Sequence, residues 1–123
     1  MKIKVNFKVD HPTVNGHIYP KEVLKKAFDE RFKSDVYISR VNSGTVKFDE
    51  IVAKAESYEI TPESEILVDM KILDTPAGKQ FKDLNFEIST YGIGEFADET
   101  HTLMSDQYKL SHFYVVEKNK EKK

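Results

Sequence analysis

Hydrophobic and polar residues alternate from the start of the chain, with Ile3, Val5, Phe7 and Val9 separated by Lys2, Lys4, Asn6 and Lys8. A strand sends successive side chains to opposite faces, so residues 2–9 are expected as a half-buried strand. Its regularly spaced lysines read as the protection of a sheet edge. The period then changes. Val23, Leu24, Ala27 and Phe28 recur at helical spacing. Pro20 suits the first helical position, where its missing N–H would have no partner anyway. A helix is therefore expected over residues 20–32, entered from an Asn15-Gly16 turn whose residues tolerate positive φ.

Further along, Val36-Tyr37-Ile38 is a short apolar segment, and Asn42-Ser43-Gly44 is a turn. Residues 45–60 fit neither period throughout. Residues 51–60 are expected as a strand, because Ile66, Val68, Met70 and Ile72 alternate like its hairpin partner beyond the turn Thr61-Pro62-Glu63-Ser64. A second helix is expected over residues 76–84, with Thr75 as its N-cap. Phe86, Ile88 and Tyr91 open another strand, in which Gly92 and Gly94 mark a bulge or bend. The last strand is expected over residues 107–117. The fold class is then α+β, with a mainly antiparallel, barrel-like sheet and two short helices. Residues 1–117 read as a single domain, and 118–123, with no apolar residue, as a charged flexible tail.

Composition narrows the possible chemistry. The 123 residues suffice for one core, and eight Phe with six Tyr supply aromatic volume for a small barrel. A formal charge of −2 gives no electrostatic case for a nucleic-acid partner. The absence of cysteine excludes disulfides and thiolate metal sites. The four histidines are dispersed and Glu95-Asp98-Glu99 lacks the spacing of a calcium loop, so no metal or other cofactor is expected. Gly92-Ile93-Gly94 is followed by no Lys-Ser/Thr pair and is not a phosphate loop. No apolar run reaches membrane-spanning length and the first residues lack a signal-peptide pattern, so no membrane contact is expected and the protein is placed in the cytosol.

Four segments, in order, resemble the prohead maturation proteases of tailed phages. Asn15-Gly16-His17-Ile18-Tyr19-Pro20, with Val23, Leu24 and Ala27, is similar to the family's N-G-x-I-Y-P-x-x-V-L-x-x-A entry. Ile72-Leu73-Asp74-Thr75-Pro76-Ala77-Gly78-Lys79 resembles I-L-x-T-P-x-G-K. Phe86 to Gly94 resembles the G-V-S-S-R-G-x-G segment that carries the serine nucleophile, and Tyr108 to Val116 the closing F-x-L-x-x-x-D-x-V strand. The resemblance implies the prohead protease core fold, with Ser89 at the nucleophile position and oxyanion donors around Thr90 and Gly92.

The departures bear on activity. The family's catalytic histidine lies in a G-x-x-x-H-P segment shortly after the first helix, whereas Asp35 to Asn42 contains no histidine. Tyr91 replaces the arginine after the nucleophile, and the closing strand lacks the aspartate, leaving His112 and Tyr114 as local alternatives. A serine attacks a peptide carbonyl well only when an adjacent base takes its proton. The expected function is thus a non-catalytic phage or prophage protein that makes protein–protein contacts in capsid assembly or virion structure, in the host cytoplasm or the virion. One alternative is a minimal serine endopeptidase with Ser89 as nucleophile and His112, or else His101, as base. Another is a phage accessory factor that binds a host protein. Partners are expected to be capsid, scaffold or host proteins. Self-association through the last strand is a further expectation, since Phe113 and Tyr114-Val115-Val116 carry apolar residues toward both faces. His17 is expected as a surface turn residue, and His11, before Pro12 at a strand end, has no chemistry assigned.

Overall fold

A computed structural model describes residues 2–13, 16–81, 86–100 and 102–117, residue 117 by its backbone alone. Among the described residues, six strands and two helices make up the regular structure: β1 (Lys2–Lys8), α1 (Lys21–Arg31), β2 (Val36–Ser39), β3 (Ile51–Ile60), β4 (Glu65–Ile72), α2 (Pro76–Phe81), β5 (Phe86–Ile93) and β6 (Lys109–Glu117). A 3-10 turn, Phe48–Glu50, leads into β3. The strands close into a barrel in the order β1-β4-β3-β2-β6-β5.

The barrel is mixed, which corrects the expectation of a mainly antiparallel sheet. Hairpins β3–β4 and β5–β6 and the pairs β1–β4 and β2–β3 are antiparallel, but β2 runs parallel to β6 and β1 parallel to β5. Those two parallel contacts close the ring. Nor is β1 an exposed edge, as its lysines suggest. It pairs with β4 on one side and meets β5 on the other, with Val5 opposite Ile88. Its lysines lie on the outer face, where Lys2 pairs with Glu59 and Lys4 lies 3.6 Å from Glu65 and 3.8 Å from Glu87.

The core follows from alternation. Val5, Val36, Ile38, Val52, Ile66, Val68, Met70, Ile88 and Phe113 are buried inside. Helix α1 packs against β6 through Leu24, Ala27 and Phe28, and the Phe28 ring meets Phe113 edge-on at 5.5 Å. Pro20 stands just before the helix. The Lys21 N–H is capped by the Asp10 carboxylate at 2.9 Å, a long-range substitute for a local cap. At α2 the Thr75 hydroxyl accepts from Gly78 N–H at 2.9 Å, as an N-cap should, and donates to the Ile51 carbonyl. Glycine is required at 78, because a Cβ there would lie 2.0 Å from the Leu73 carbonyl oxygen. The last three residues of the expected second helix, 82–84, fall outside the described residues, as do Asn15 of the entry turn and the tail. Gly16, with φ of 80°, supplies the positive φ that the entry turn needs. The irregularity expected at Gly92 is present as a register shift between Tyr91 and Gly92. Among the described residues no helix is long and apolar enough to cross a membrane.

Candidate functional site

Strand registry sets the surroundings of Ser89. Ser89 stands opposite Tyr114 of β6, which stands opposite Ser39 of β2, so one row crosses three strands as hydroxyl, phenol, hydroxyl. Ile38 and Phe113, adjacent in sequence to Ser39 and Tyr114, are sealed in the barrel, so alternation turns this row to the outer face. Ser89 is only 8% exposed. Its hydroxyl makes no hydrogen bond among the described residues. Ser39 is spent locally, its oxygen accepting from Val41 N–H at 3.3 Å. The row therefore places no imidazole and no carboxylate beside Ser89.

His112 is on the adjoining position of β6, where it stands opposite Tyr91. Both of its nitrogens are occupied. Nε2 lies 2.9 Å from the Ser43 carbonyl oxygen, which only accepts, so Nε2 carries the proton. Nδ1 then accepts from the Ser111 hydroxyl at 2.8 Å in the neutral ring. The imidazole stacks on Tyr91 with centroids 5.0 Å apart and planes 10° from parallel. Burial pushes its pKa below the ordinary imidazole value, the Arg31 guanidinium adds to that, and the bond to Ser43 works the other way. Arg31 is held nearby by its own bond from Nε to the Ser111 carbonyl at 2.7 Å. His112 thus ties the connection after β2 to β6.

The histidine that shares space with Ser89 is His17. Both line a cleft of about 260 Å³, with Thr13, Tyr19, Thr90 and Tyr114 on its walls and Asn6 and Phe7 of β1 at its side. This corrects the reading of His17 as a surface turn residue. Its ring is half-buried and packs edge-on against Phe96 at 4.9 Å. Its neighbour Ile18 is bridged to Leu103, donating to the Thr102 carbonyl at 2.7 Å, and that contact draws the turn against the barrel. The ring nitrogens of His17 have no hydrogen-bond partner among the described residues. His11 instead bonds the Val9 carbonyl through Nδ1 at 2.7 Å, and His101 lies outside the described residues.

Behind the cleft wall stands Tyr108, 5% exposed, its ring edge-on to Tyr19 at 5.2 Å. Its hydroxyl is buried and makes no hydrogen bond of good geometry among the described residues; burial pushes the phenol pKa well up, and the nearby Thr90 side chain works the other way. Gly92 makes room for it, since a Cβ there would lie 2.6 Å from that oxygen. The acidic stretch around Asp98 is structural. The Asp98 carboxylate accepts from the Thr102 and Leu103 N–H groups at 3.0 and 3.1 Å, and hydrogen bonding, that from Leu103 first, lowers its pKa. Among the described residues no group of three or more His, Asp or Glu is placed to hold a metal ion.

No family model matches the chain, and no curated protein matches it in sequence. Among solved structures it is similar to the bacteriophage T4 capsid assembly protease, gp21, with a TM-score of 0.74 and 15% identity over 94% of this chain and 80% of that one. The two chains share a fold. The sequence resemblance to phage prohead proteases and the likeness of the folds therefore point to the same architecture. At that identity the likeness shows the fold alone.

Proposed function

We propose that this chain is a non-catalytic phage or prophage protein that uses a capsid-protease fold to contact other proteins during capsid assembly, in the host cytoplasm or the assembled virion. The observation that carries the reading is the state of the two groups named from sequence. Ser89 has no hydrogen-bonded base among the described residues, and His112 has committed both nitrogens to Ser43 and Ser111. A hydrolase needs a base within hydrogen-bond reach of the nucleophile and a third group that orients the base. Here the row across the sheet offers Tyr114 and Ser39 in those places.

The test is genetic. In a phage that encodes the chain, deletion is expected to block head assembly, and a Ser89→Ala copy is expected to restore it. Normal heads after deletion would remove the capsid role. Failure of a folded Ser89→Ala protein to restore assembly would remove the non-catalytic reading.

One observation favours a second reading, a minimal serine endopeptidase: His17 and Ser89 line the same cleft. In that case His17 replaces His112 as the general base. A fluorophosphonate probe that labels activated serines distinguishes the two. Labelling of Ser89 that disappears in His17→Ala supports the endopeptidase, and no labelling is the outcome expected from the non-catalytic reading.

A further inference from the structure

We infer that the cleft shared by His17, Ser89 and Tyr114 is a binding site for one neutral polyhydroxylated ring, a single uncharged sugar unit. Such a site goes beyond the contact role proposed above and does not depend on it. Asn6, His17, Tyr19, Ser89 and Tyr114 all line the cleft, and the polar end of each side chain bonds no described residue. Charged groups close by on the outer face are paired instead, as Lys4 is with Glu65 and Glu87. The free groups are held in place by the backbone. Ser89 and Tyr114 face each other across β5 and β6. Thr13 N–H donates to the His17 carbonyl at 2.8 Å, and Asp10 N–H to the Tyr19 carbonyl at 2.9 Å.

The lining selects the charge of the ligand. Among the described residues no lysine, arginine or carboxylate borders the cleft. An ion entering it would lose water without meeting such a counter-charge. Hydroxyls and the Asn6 carboxamide each both donate and accept, as the adjacent hydroxyls of a sugar require. The Tyr19 phenol keeps its proton, since burial first and the nearby Tyr114 phenol second raise its pKa. Size selects a single ring. The volume of about 260 Å³ is the share of about nine liquid waters and lies below the roughly 300–1,000 Å³ of drug-sized sites. The aromatic wall suits the C–H faces of such a ring, whose hydrogens are drawn to the negative face of a π-system. Phe7 stacks on Tyr19 with centroids 4.9 Å apart, and Tyr108 meets Tyr19 edge-on at 5.2 Å. Behind that wall the Tyr108 hydroxyl has only Thr90 as a polar neighbour, without good hydrogen-bond geometry. A ligand hydroxyl seated on Thr90 would extend this polar chain into the cleft.

The experiment follows amide chemical shifts of the isotope-labelled full chain. Its titrants are glucose, galactose, mannose and N-acetylglucosamine, each as the free sugar and as the methyl glycoside. At least one is expected to bind with a dissociation constant on the order of 1 mM, its shifts centred on Asn6, His17, Ser89 and Tyr114. The uronate and amino forms of that sugar are expected to bind at least about tenfold more weakly, a difference of about 1.4 kcal/mol. Tyr114→Phe is expected to weaken binding about fivefold, the scale of one net hydrogen bond, with amide shifts away from the cleft unchanged. Ser89→Ala gives the same reading should Tyr114→Phe disturb the barrel. Binding by the methyl glycoside supports the site with the end of a glycan as its source, and binding by the free sugar alone supports it with a free sugar. No saturable shift with any of these sugars, shifts centred elsewhere, equal binding of the charged forms or unweakened binding by the variants each overturns the site.

Discussion

At the scale of single residues, His112 decides the chemistry of its surroundings. Its folded pKa is depressed, chiefly by burial, so the unfolded chain binds more protons than the folded one just below the ordinary imidazole value of about 6.5. Stability from this group is complete above that value and declines as pH falls through the depressed folded pKa. Urea denaturation at pH 7 and pH 5 is expected to show this decline in the wild type and a smaller one in His112→Phe. The same variant leaves the Ser43 carbonyl without its donor and is expected to cost about 1–3 kcal/mol at pH 7. Tyr108→Phe has the opposite sign. Removing a buried hydroxyl whose nearest polar neighbour, Thr90, is not held in good hydrogen-bond geometry is expected to leave stability unchanged or raise it by about 1 kcal/mol, read from the denaturation midpoint. Ser89 and His112 are visible in the sequence as candidates on neighbouring strands. What His112 binds is not, because Ser43 comes from a distant connection and no local pattern encodes that meeting. His17 reads as a surface residue for the same reason, since the Ile18–Leu103 bridge that turns it toward the cleft is long-range.

At the scale of elements, most of the fold is legible in the sequence. β3 runs over Ile51–Ile60 as expected, and α1 ends within a residue of the expected bounds. Alternation and helical period report which face is buried, and burial is what these elements share. They carry no information on which neighbour a strand takes or in what direction. That is why the parallel contacts β1–β5 and β2–β6 leave no trace in the pattern and β1 reads as an edge. The close seat of α2 is equally hidden, although its glycine can be seen. Gly78→Ala would drive a methyl into the Leu73 carbonyl, with Val52 O 2.9 Å away as a second obstacle. Both atoms are backbone and give way poorly. Its cost is expected to exceed the roughly 1 kcal/mol that alanine normally gains over glycine in a helix, so that the variant is less stable despite better propensity. Thermal unfolding of the variant against the wild type measures it.

At the scale of the molecule, the barrel holds together through contacts between chain segments far apart in sequence. Its hairpins form locally, but the ring is complete only when β2 reaches β6, through Ile38–Phe113 and Ser39–Tyr114, and β1 reaches β5. Each closure must restrict a long stretch of chain before its contacts return anything. The expected consequence is kinetic: refolding on the millisecond-to-second scale typical of nonlocal β topologies, against microseconds to milliseconds for helical bundles of similar size. Stopped-flow fluorescence from the tyrosines would show it. Because the β1–β5 seam is joined at one pair, it is also expected to zip last, so Val5→Ala should accelerate unfolding far more than it slows folding.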